Sequence, residues 1–214
     1  MSISTHSISR WFEVALWLFG LICLSAYGAV KVQSASAQSA AMSDLETEWR
    51  QAATAAPDRS LWSKARIERY ERDRSDSENL PPLGLLTIPS VGIRVAMFEG
   101  TSDRVLNLGV GRVEGTGQIG SAGNLAFAGH RDGFFRGLKD IEVGDDISIQ
   151  HRGGINHYSV HELSVVEPDA VYVLEPTKEE TLTLVTCYPF YFVGPAPKRF
   201  IVKAIARRAD VFSQ

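Results

Sequence analysis

The chain has 214 residues, of which 44% are hydrophobic and 22% charged, and its formal net charge is -3. This length allows one ordinary domain with additional segments, and the apolar fraction is sufficient for a buried core. The weakly negative charge provides no electrostatic reason to expect nucleic acid as a partner, so no nucleic-acid partner is predicted.

The first predicted element is the uncharged segment Val14–Val30, VALWLFGLICLSAYGAV. A helix of this length spans about 26 Å, close to the roughly 30 Å hydrocarbon core of a membrane. We predict a single-pass anchor within residues 1–33, and Arg10 favours a cytoplasmic N-terminus. The alternative is a signal peptide cleaved after Ala37, because Ala35–Ala37 is an A-x-A site. Either way, the rest of the chain is predicted to be extracytoplasmic.

Residues 34–80 are predicted to form a helical stalk or linker. The segment at residues 61–74, LWSKARIERYERDR, alternates in charge sign, and Lys64 with Glu68 forms an i,i+4 pair. This pattern fits a helix that binds a partner or a solvated stalk that lifts the next domain off the membrane, and we favour the stalk. Pro81 and Pro82 mark the start of the last domain, residues 81–214.

In that domain, short apolar or β-branched runs alternate with turn signals. One short helix is predicted at Thr101–Gly109. Regular strands with little helix predict an all-β barrel or sandwich. The predicted strands are Leu83–Ile88, Gly92–Phe98, Leu125–Ala128, Ile147–His151, Tyr158–Val166, Val171–Leu174, Leu182–Thr186 and Phe200–Ala206.

Cys187 follows one of these strands, and Arg199 opens the next one after a proline-rich loop. The thiol and the cation are therefore predicted to lie near the facing ends of two neighbouring strands. Cys23 lies in the predicted anchor, so Cys187 has no disulfide partner in the exported part. A free thiol in an oxidising compartment is either buried for structural reasons or has a chemical role as a reactive group, and both interpretations remain open here.

His130 follows the predicted strand Leu125–Ala128 in the segment AGHRDGFF. Strand ends often carry catalytic side chains, although a capping or exposed loop histidine is the alternative. A zinc site of His130, Asp132 and Cys187 is disfavoured because neither CxxC nor HxxxH spacing occurs, so we predict no metal and no cofactor. Together, His130 as a proton carrier and Arg199 as a fixed cation outline a nucleophilic site around Cys187.

These residues resemble the sortase family. Thr183–Cys187, TLVTC, matches the TLxTC motif of that family, His130 stands in the matching Gly-His context, and Arg199 lies on the following strand. The order His, Cys, Arg also agrees. The resemblance covers about Pro82–Ala206, and the AGHRDGFF and Tyr-Pro-Phe elements are similar to class D or Gram-negative sortases.

The resemblance implies a closed eight-stranded β-barrel that acts as a cysteine transpeptidase. Cys187 would attack the Thr carbonyl of an LPXTG-like sorting signal and form a thioester, while His130 protonates the leaving amine. Arg199 would orient the substrate and stabilise the oxyanion. Thr186 would bind the same oxygen, and Asp132 would orient His130. The implied partners are exported proteins with a C-terminal sorting signal and an amine acceptor from the cell wall or a protein.

Two alternatives remain. The first is another exported cysteine peptidase or hydrolase that acts on the cell wall, but such families usually carry a Ser-His-Gly-Cys motif or place the cysteine before the histidine. The second is a non-enzymatic, membrane-tethered assembly module that has kept the barrel. The module would keep its cellular role after Cys187→Ala, whereas the enzyme would lose it.

Overall fold

Strands from the C-terminal part of the chain close into a barrel in a computed structural model of the protein. The structure describes residues 17–25, 27, 28, 31, 43, 47, 49, 51, 59, 62–75, 80–191 and 196–207. Within these residues, eight strands follow one another around the barrel in the order β1-β2-β3-β4-β7-β8-β6-β5. The strands are β1 Gly84–Ile88, β2 Ile93–Glu99, β3 Val110–Arg112, β4 Gly123–Ala128, β5 Asp146–His151, β6 Gly154–Val166, β7 Glu180–Tyr188 and β8 Lys198–Ala206.

The barrel is filled by every second residue of its strands. Successive side chains of a strand point to opposite faces, so the apolar alternation in the sequence becomes one buried interior and one outer face. The all-β barrel predicted from the sequence is thus confirmed. Core residues that alternate in this way are Val95 and Met97 of β2, Leu125 and Phe127 of β4, Ile147 and Ile149 of β5, Tyr158 and Val160 of β6, Leu182 and Leu184 of β7, and Val202 and Ala204 of β8.

Helices flank the barrel: α1 Lys64–Ser75, α2 Asp103–Leu108 and the short 3₁₀ helices Pro89–Val91, Phe134–Asp140 and Val171–Leu174. The helix predicted at Thr101–Gly109 is therefore confirmed, and the Ser102 hydroxyl at its N-cap accepts a hydrogen bond from the backbone N–H of Val105.

The strand predicted at Val171–Leu174 is wrong. The barrel is closed, and β7 pairs with β4 on one side and β8 on the other, so this run of valine, tyrosine and leucine has no free strand neighbour there. It forms one turn of 3₁₀ helix, with Val171 and Tyr172 largely exposed. The strand that the sequence did not predict is β3, which is only three residues long.

Helix α1 is not the solvated rod expected from its charges. Trp62, Arg66 and Tyr70 are 9%, 4% and 1% exposed, respectively. Residues spaced by four lie on one face of a helix, so Arg66 and Tyr70 form its buried face, and Trp62 is buried just before its first residue. Exposed charges occupy most of the other positions and the buried face itself contains Arg66, so the sequence shows no apolar stripe here. The predicted domain boundaries after residues 33 and 80 stay predictions.

The chain divides into two units, residues 1–45 and 46–214. In the first unit, residues 17–25 are helical, and Trp17, Phe19 and Leu21 are exposed. In the described parts of the chain, no helix is both long enough and apolar enough to cross a membrane. The predicted anchor at 14–30 and the A-x-A site include positions outside the described residues, so both stay predictions.

Candidate active site

The pairing of β7 with its two neighbours brings Cys187 to a shared edge of the barrel. β4 and β7 run parallel, with Ala128 opposite Val185, so both strands end on the same side. If this parallel register is extended by two residues beyond Ala128 and Val185, it places His130 next to Cys187. On the other side, β8 runs antiparallel to β7 and places Arg199 directly opposite Cys187. The predicted adjacency of Cys187 and Arg199 is therefore confirmed, and His130 joins them at the same strand ends.

Thr186 links the strand that carries Cys187 to the strand that leads to His130. Its buried hydroxyl donates a hydrogen bond to the carbonyl oxygen of Gly129 at 2.7 Å. The backbone N–H of Gly129 in turn donates to the Val185 carbonyl at 3.1 Å. These two bonds continue the β4–β7 pairing up to the site. The predicted role of Thr186 in substrate binding stays a prediction, because here its proton goes to the protein backbone.

Gly129 occupies a position with no space for a side chain. A Cβ placed on it would lie 2.6 Å from Cδ2 of Phe135, and the Phe135 ring is fully buried. The aromatic ring of the following turn therefore packs directly against the backbone that precedes His130. Glycine is needed here for close approach, which explains the Ala-Gly-His order at the end of β4.

His130 lies half-buried among groups of both charges. The pKa of its imidazole is lowered to about 4, mainly by burial and next by the nearby Arg66 guanidinium, with a weaker effect in the same direction from Arg69. Asp132 and Asp103 act in the opposite direction and raise the pKa. Desolvation dominates because it penalises the charged imidazolium. At neutral pH, His130 is therefore a neutral imidazole that is able to accept a proton.

Two arginines of the segment after His130 bind the segment after Cys187. Arg131 donates from Nη1 to the carbonyl oxygen of Pro189 at 2.8 Å, and Arg136 donates from Nη1 to the carbonyl oxygen of Phe190. These bonds fasten the two segments that flank the site to each other. Neither arginine was predicted from the sequence, although their positions on either side of the aromatic turn in HRDGFFR are a signal for such a role.

Arg199 is half-buried, and its Nη1 donates to the backbone carbonyls of Lys198 and Ala196, at 3.0 and 3.4 Å. A guanidinium carries five N–H donors, so these two bonds leave capacity to bind a substrate oxygen.

Asp132, predicted to orient His130, instead pairs with Arg66: Nη2 of Arg66 lies 2.9 Å from Oδ1 of Asp132. Asp132 therefore influences His130 through its charge.

Within the parts of the chain that the structure describes, no group of three or more His, Cys, Asp or Glu residues could hold a metal ion. The site is thus best described as a thiol, a neutral imidazole and a guanidinium at the ends of adjacent strands. Such a set supplies a nucleophile, a proton carrier and an oxyanion ligand, which are the parts needed for acyl transfer. The catalytic roles themselves stay predictions.

Comparison with protein families and curated proteins agrees with this description. The sortase-domain family model matches residues 86–206. Sortase D of Bacillus subtilis (strain 168) is 36% identical over 121 residues, which cover 56% of this chain and 61% of that protein. Sortase A of Streptococcus agalactiae serotype III (strain NEM316) is 29% identical over 149 residues, 65% of this chain and 59% of that protein. The matches thus span about three fifths of these two relatives.

Solved structures resemble the chain over a larger share of its length. A sortase D5 transpeptidase of Clostridium perfringens has 29% sequence identity and a TM-score of 0.55, with 68% of this chain and 95% of that chain covered. Sortase C1 of pilus island 1 of GBS has a TM-score of 0.59 over 79% of this chain and 94% of that chain. Its sequence identity is 22%, so this likeness supports the fold alone.

Proposed function

The chain belongs to the sortase family and is similar to its class D, and on this premise we propose that it is a membrane-anchored cysteine transpeptidase. Its substrate would be an exported protein with an LPXTG-like sorting signal, cleaved between Thr and Gly. The observation that supports this proposal best is the register of β7, with Arg199 opposite Cys187 and His130 at the end of the other neighbouring strand.

The first half of the proposed reaction forms a thioester. The neutral imidazole of His130 accepts the thiol proton of Cys187 while Sγ attacks the Thr carbonyl carbon of the sorting signal. The carbonyl oxygen becomes negative, and the guanidinium of Arg199 stabilises it. When the C–N bond to Gly breaks, the imidazolium of His130 gives its proton to the leaving amine. The acyl group then remains on Cys187.

The second half returns the enzyme to its starting state. An amine acceptor attacks the thioester carbonyl, and His130 takes the proton that this amine loses. The C–S bond breaks, the new amide leaves, and the Cys187 thiolate recovers its proton from His130. Water in place of the amine would give hydrolysis by the same steps. The acceptor would be an amine of the cell wall or of another protein.

The proposed location follows from the sequence. Val14–Val30 would anchor the chain in the cell membrane as a single pass with a cytoplasmic N-terminus. The barrel would then lie on the extracytoplasmic side, where exported proteins with sorting signals pass. No metal or cofactor is assigned to the reaction, so turnover should survive a chelator.

The proposal is tested by intact-mass analysis of the full chain after incubation with LPXTG-like peptides. We expect a mass increase equal to the acyl fragment, lost in Cys187→Ala and kept in Cys23→Ala, because Cys23 is the other free cysteine. If the folded protein forms no adduct and cleaves no peptide of such a library, the transpeptidase proposal fails. An intact cellular role in Cys187→Ala would then favour the assembly module.

A further inference from the structure

Helix α1 lies outside the region that the family model matches, yet it contacts the segment that carries His130. The matched region begins at residue 86, whereas α1 covers Lys64–Ser75. Its buried face meets the turn that directly follows His130 through one ion pair and one aromatic cluster.

Arg66 is the polar centre of this contact. Its guanidinium donates from Nη2 to Oδ1 of Asp132 at 2.9 Å and from Nη1 to Oδ1 of Asn107 at 2.6 Å. Asn107 lies on α2 and donates in turn to Asp73 at the far end of α1. One arginine thus ties α1, α2 and the segment after His130 together. Asp132 is only two residues from His130, so this contact with α1 lies close along the chain to the imidazole.

An aromatic cluster supports the same contact. The ring of Phe134 packs edge-to-face against Trp62 and Tyr70 of the α1 region, with ring centroids 5.3 and 6.3 Å apart. Trp62 and Tyr70 pack on each other at 5.5 Å. Edge-to-face packing restricts the ring positions, so Asp132 and Phe134 hold the turn after His130 against α1 at two points.

The burial of Arg66 is difficult to explain by stability alone. The guanidinium of Arg66 loses its hydration on burial, and attraction to Asp132, whose side chain is 38% exposed, is often too weak to offset such a cost. In addition, the buried Nε of Arg66 has no hydrogen-bond partner within the described residues. A buried group left in this way normally destabilises a fold. This argues for a role in the site.

Three parts of the chain near His130 bring charges that act on it. Helix α1 contributes Arg66 and Arg69, α2 contributes Asp103, and the turn contributes Asp132. The cations lower the pKa of His130 and the carboxylates raise it. On the barrel side, Cys187 and Arg199 lie at the adjoining strand ends.

We propose that Arg66 is a positioning residue for the transpeptidase reaction: through Asp132 it holds the His130 segment in place, and together with Asp132 it sets the charge that the imidazole faces. This inference rests on the proposed function for its catalytic meaning. It gives helix α1 a role in positioning the site that the strands of the barrel do not perform by themselves.

The direct test is an NMR titration of His130 in the full chain with labelled histidines, where the His130 signal is assigned by its loss in His130→Gln. Arg66→Gln removes a cation, so the pKa of His130 should rise by about 0.5 of a pH unit or more. Asp132→Asn removes a carboxylate, so the pKa should fall. Arg66→Lys keeps the charge and should restore a value near that of the wild type.

Lys64→Gln is the matched control, since it removes the same charge from the exposed side of the same helix. It should leave the His130 titration unchanged. If the titrations of folded Arg66→Gln and Asp132→Asn both coincide with that of the wild type, the proposal is overturned. If Arg66→Gln does not fold, Asp132→Asn alone tests the proposal. The Asp132 side chain is 38% exposed, so the fold should tolerate an amide at this position.

The second readout is the pH profile of peptide cleavage. In Arg66→Gln, kcat should fall about tenfold or more, because a small displacement of a reacting group is sufficient for such a loss. The acid limb of kcat/KM should move in the same direction as the titration, which loss of folded protein would not cause. If the wild type cleaves no peptide, the proposed function fails, whereas the titration still decides whether Arg66 and Asp132 act on His130.

Discussion

The hydroxyl of Thr186 donates a hydrogen bond to the carbonyl oxygen of Gly129 at 2.7 Å. This bond joins the residue before Cys187 to the residue before His130. Both partners are buried, so the bond is not exchanged for one with solvent. The relative position of the thiol and the imidazole therefore depends on a threonine that need not touch the substrate itself.

We expect Thr186→Val to reduce thioester formation at least about tenfold, because the two strand ends lose the bond that joins them. The buried Gly129 carbonyl loses its side-chain donor, so the free energy of unfolding should fall by about 1–3 kcal/mol. Single-turnover mass spectrometry and urea unfolding measure the two effects.

Thr183→Val is the control for this substitution. Thr183 is equally buried on the same strand, but its hydroxyl bonds Asn124 at 2.6 Å, away from the site. The Thr183→Val variant should be less stable than the wild type, but its folded molecules should form the thioester at the wild-type rate. Equal rate losses in the two variants would contradict a specific role for Thr186.

Gly129→Ala should abolish most of the activity. The added Cβ would lie 2.6 Å from a ring carbon of Phe135, which is enclosed on all sides, so the backbone before His130 must shift. We expect at least about a hundredfold loss of peptide cleavage with a lowered Tm. Gly153→Ala is the control, because the three atoms nearest to its Cβ all belong to the ring of His151, a side chain outside the site. Comparable losses in both variants would disprove the argument.

Arg199→Lys should behave almost like Arg199→Gln. A guanidinium donates through several N–H groups in a fixed fork, whereas an ammonium is a point charge that does not reproduce this geometry. We expect thioester formation to slow by about 10²- to 10³-fold in both variants. Lys198→Gln should retain activity, since Lys198 is exposed and pairs with Glu167. Full activity of Arg199→Lys would show that charge alone is sufficient.

The pH dependence of peptide cleavage should report the environment of His130. Burial lowers the pKa of this imidazole to about 4, so it remains neutral and able to accept a proton well below pH 6.5. The acid limb of kcat/KM should therefore lie near pH 4 to 5, measured with a peptide that has no titrating group in that range. An acid limb at pH 6.5 or above would contradict the buried environment.

The same pKa predicts how stability changes with pH. The folded pKa of His130, about 4, lies below the unfolded value of 6.5, so the unfolded chain binds the proton more readily between these values. Stability is lost as the pH falls from 6.5 towards 4, by about 2 kcal/mol after a reduction for partial exposure of the ring. Urea unfolding of His130→Gln should lack this component, and parallel pH profiles of both proteins would refute it.

The sequence by itself determined the class of the fold and indicated which residues form the candidate site. Alternating apolar residues in short runs lead to a barrel, because a strand has only two faces and one of them must be buried. The TLVTC motif, with His130 before it and Arg199 after it, indicated a nucleophilic site and the family. The strand alternation and the TLVTC motif can be recognised in the sequence because each is formed by residues within a few positions of one another.

Only the tertiary structure decided which distant residues support that site. The parallel register of β4 and β7 brings Thr186 to Gly129, 57 positions away, and no local pattern encodes such a pairing. Val171–Leu174 is strand-like in composition but forms a 3₁₀ helix because both edges of β7 are already occupied. From the sequence, Arg66 is predicted to be an exposed charge on a solvated helix, but the fold buries it in contact with Asp132. Long-range packing selects among local preferences, and that selection is visible only once the chain is folded.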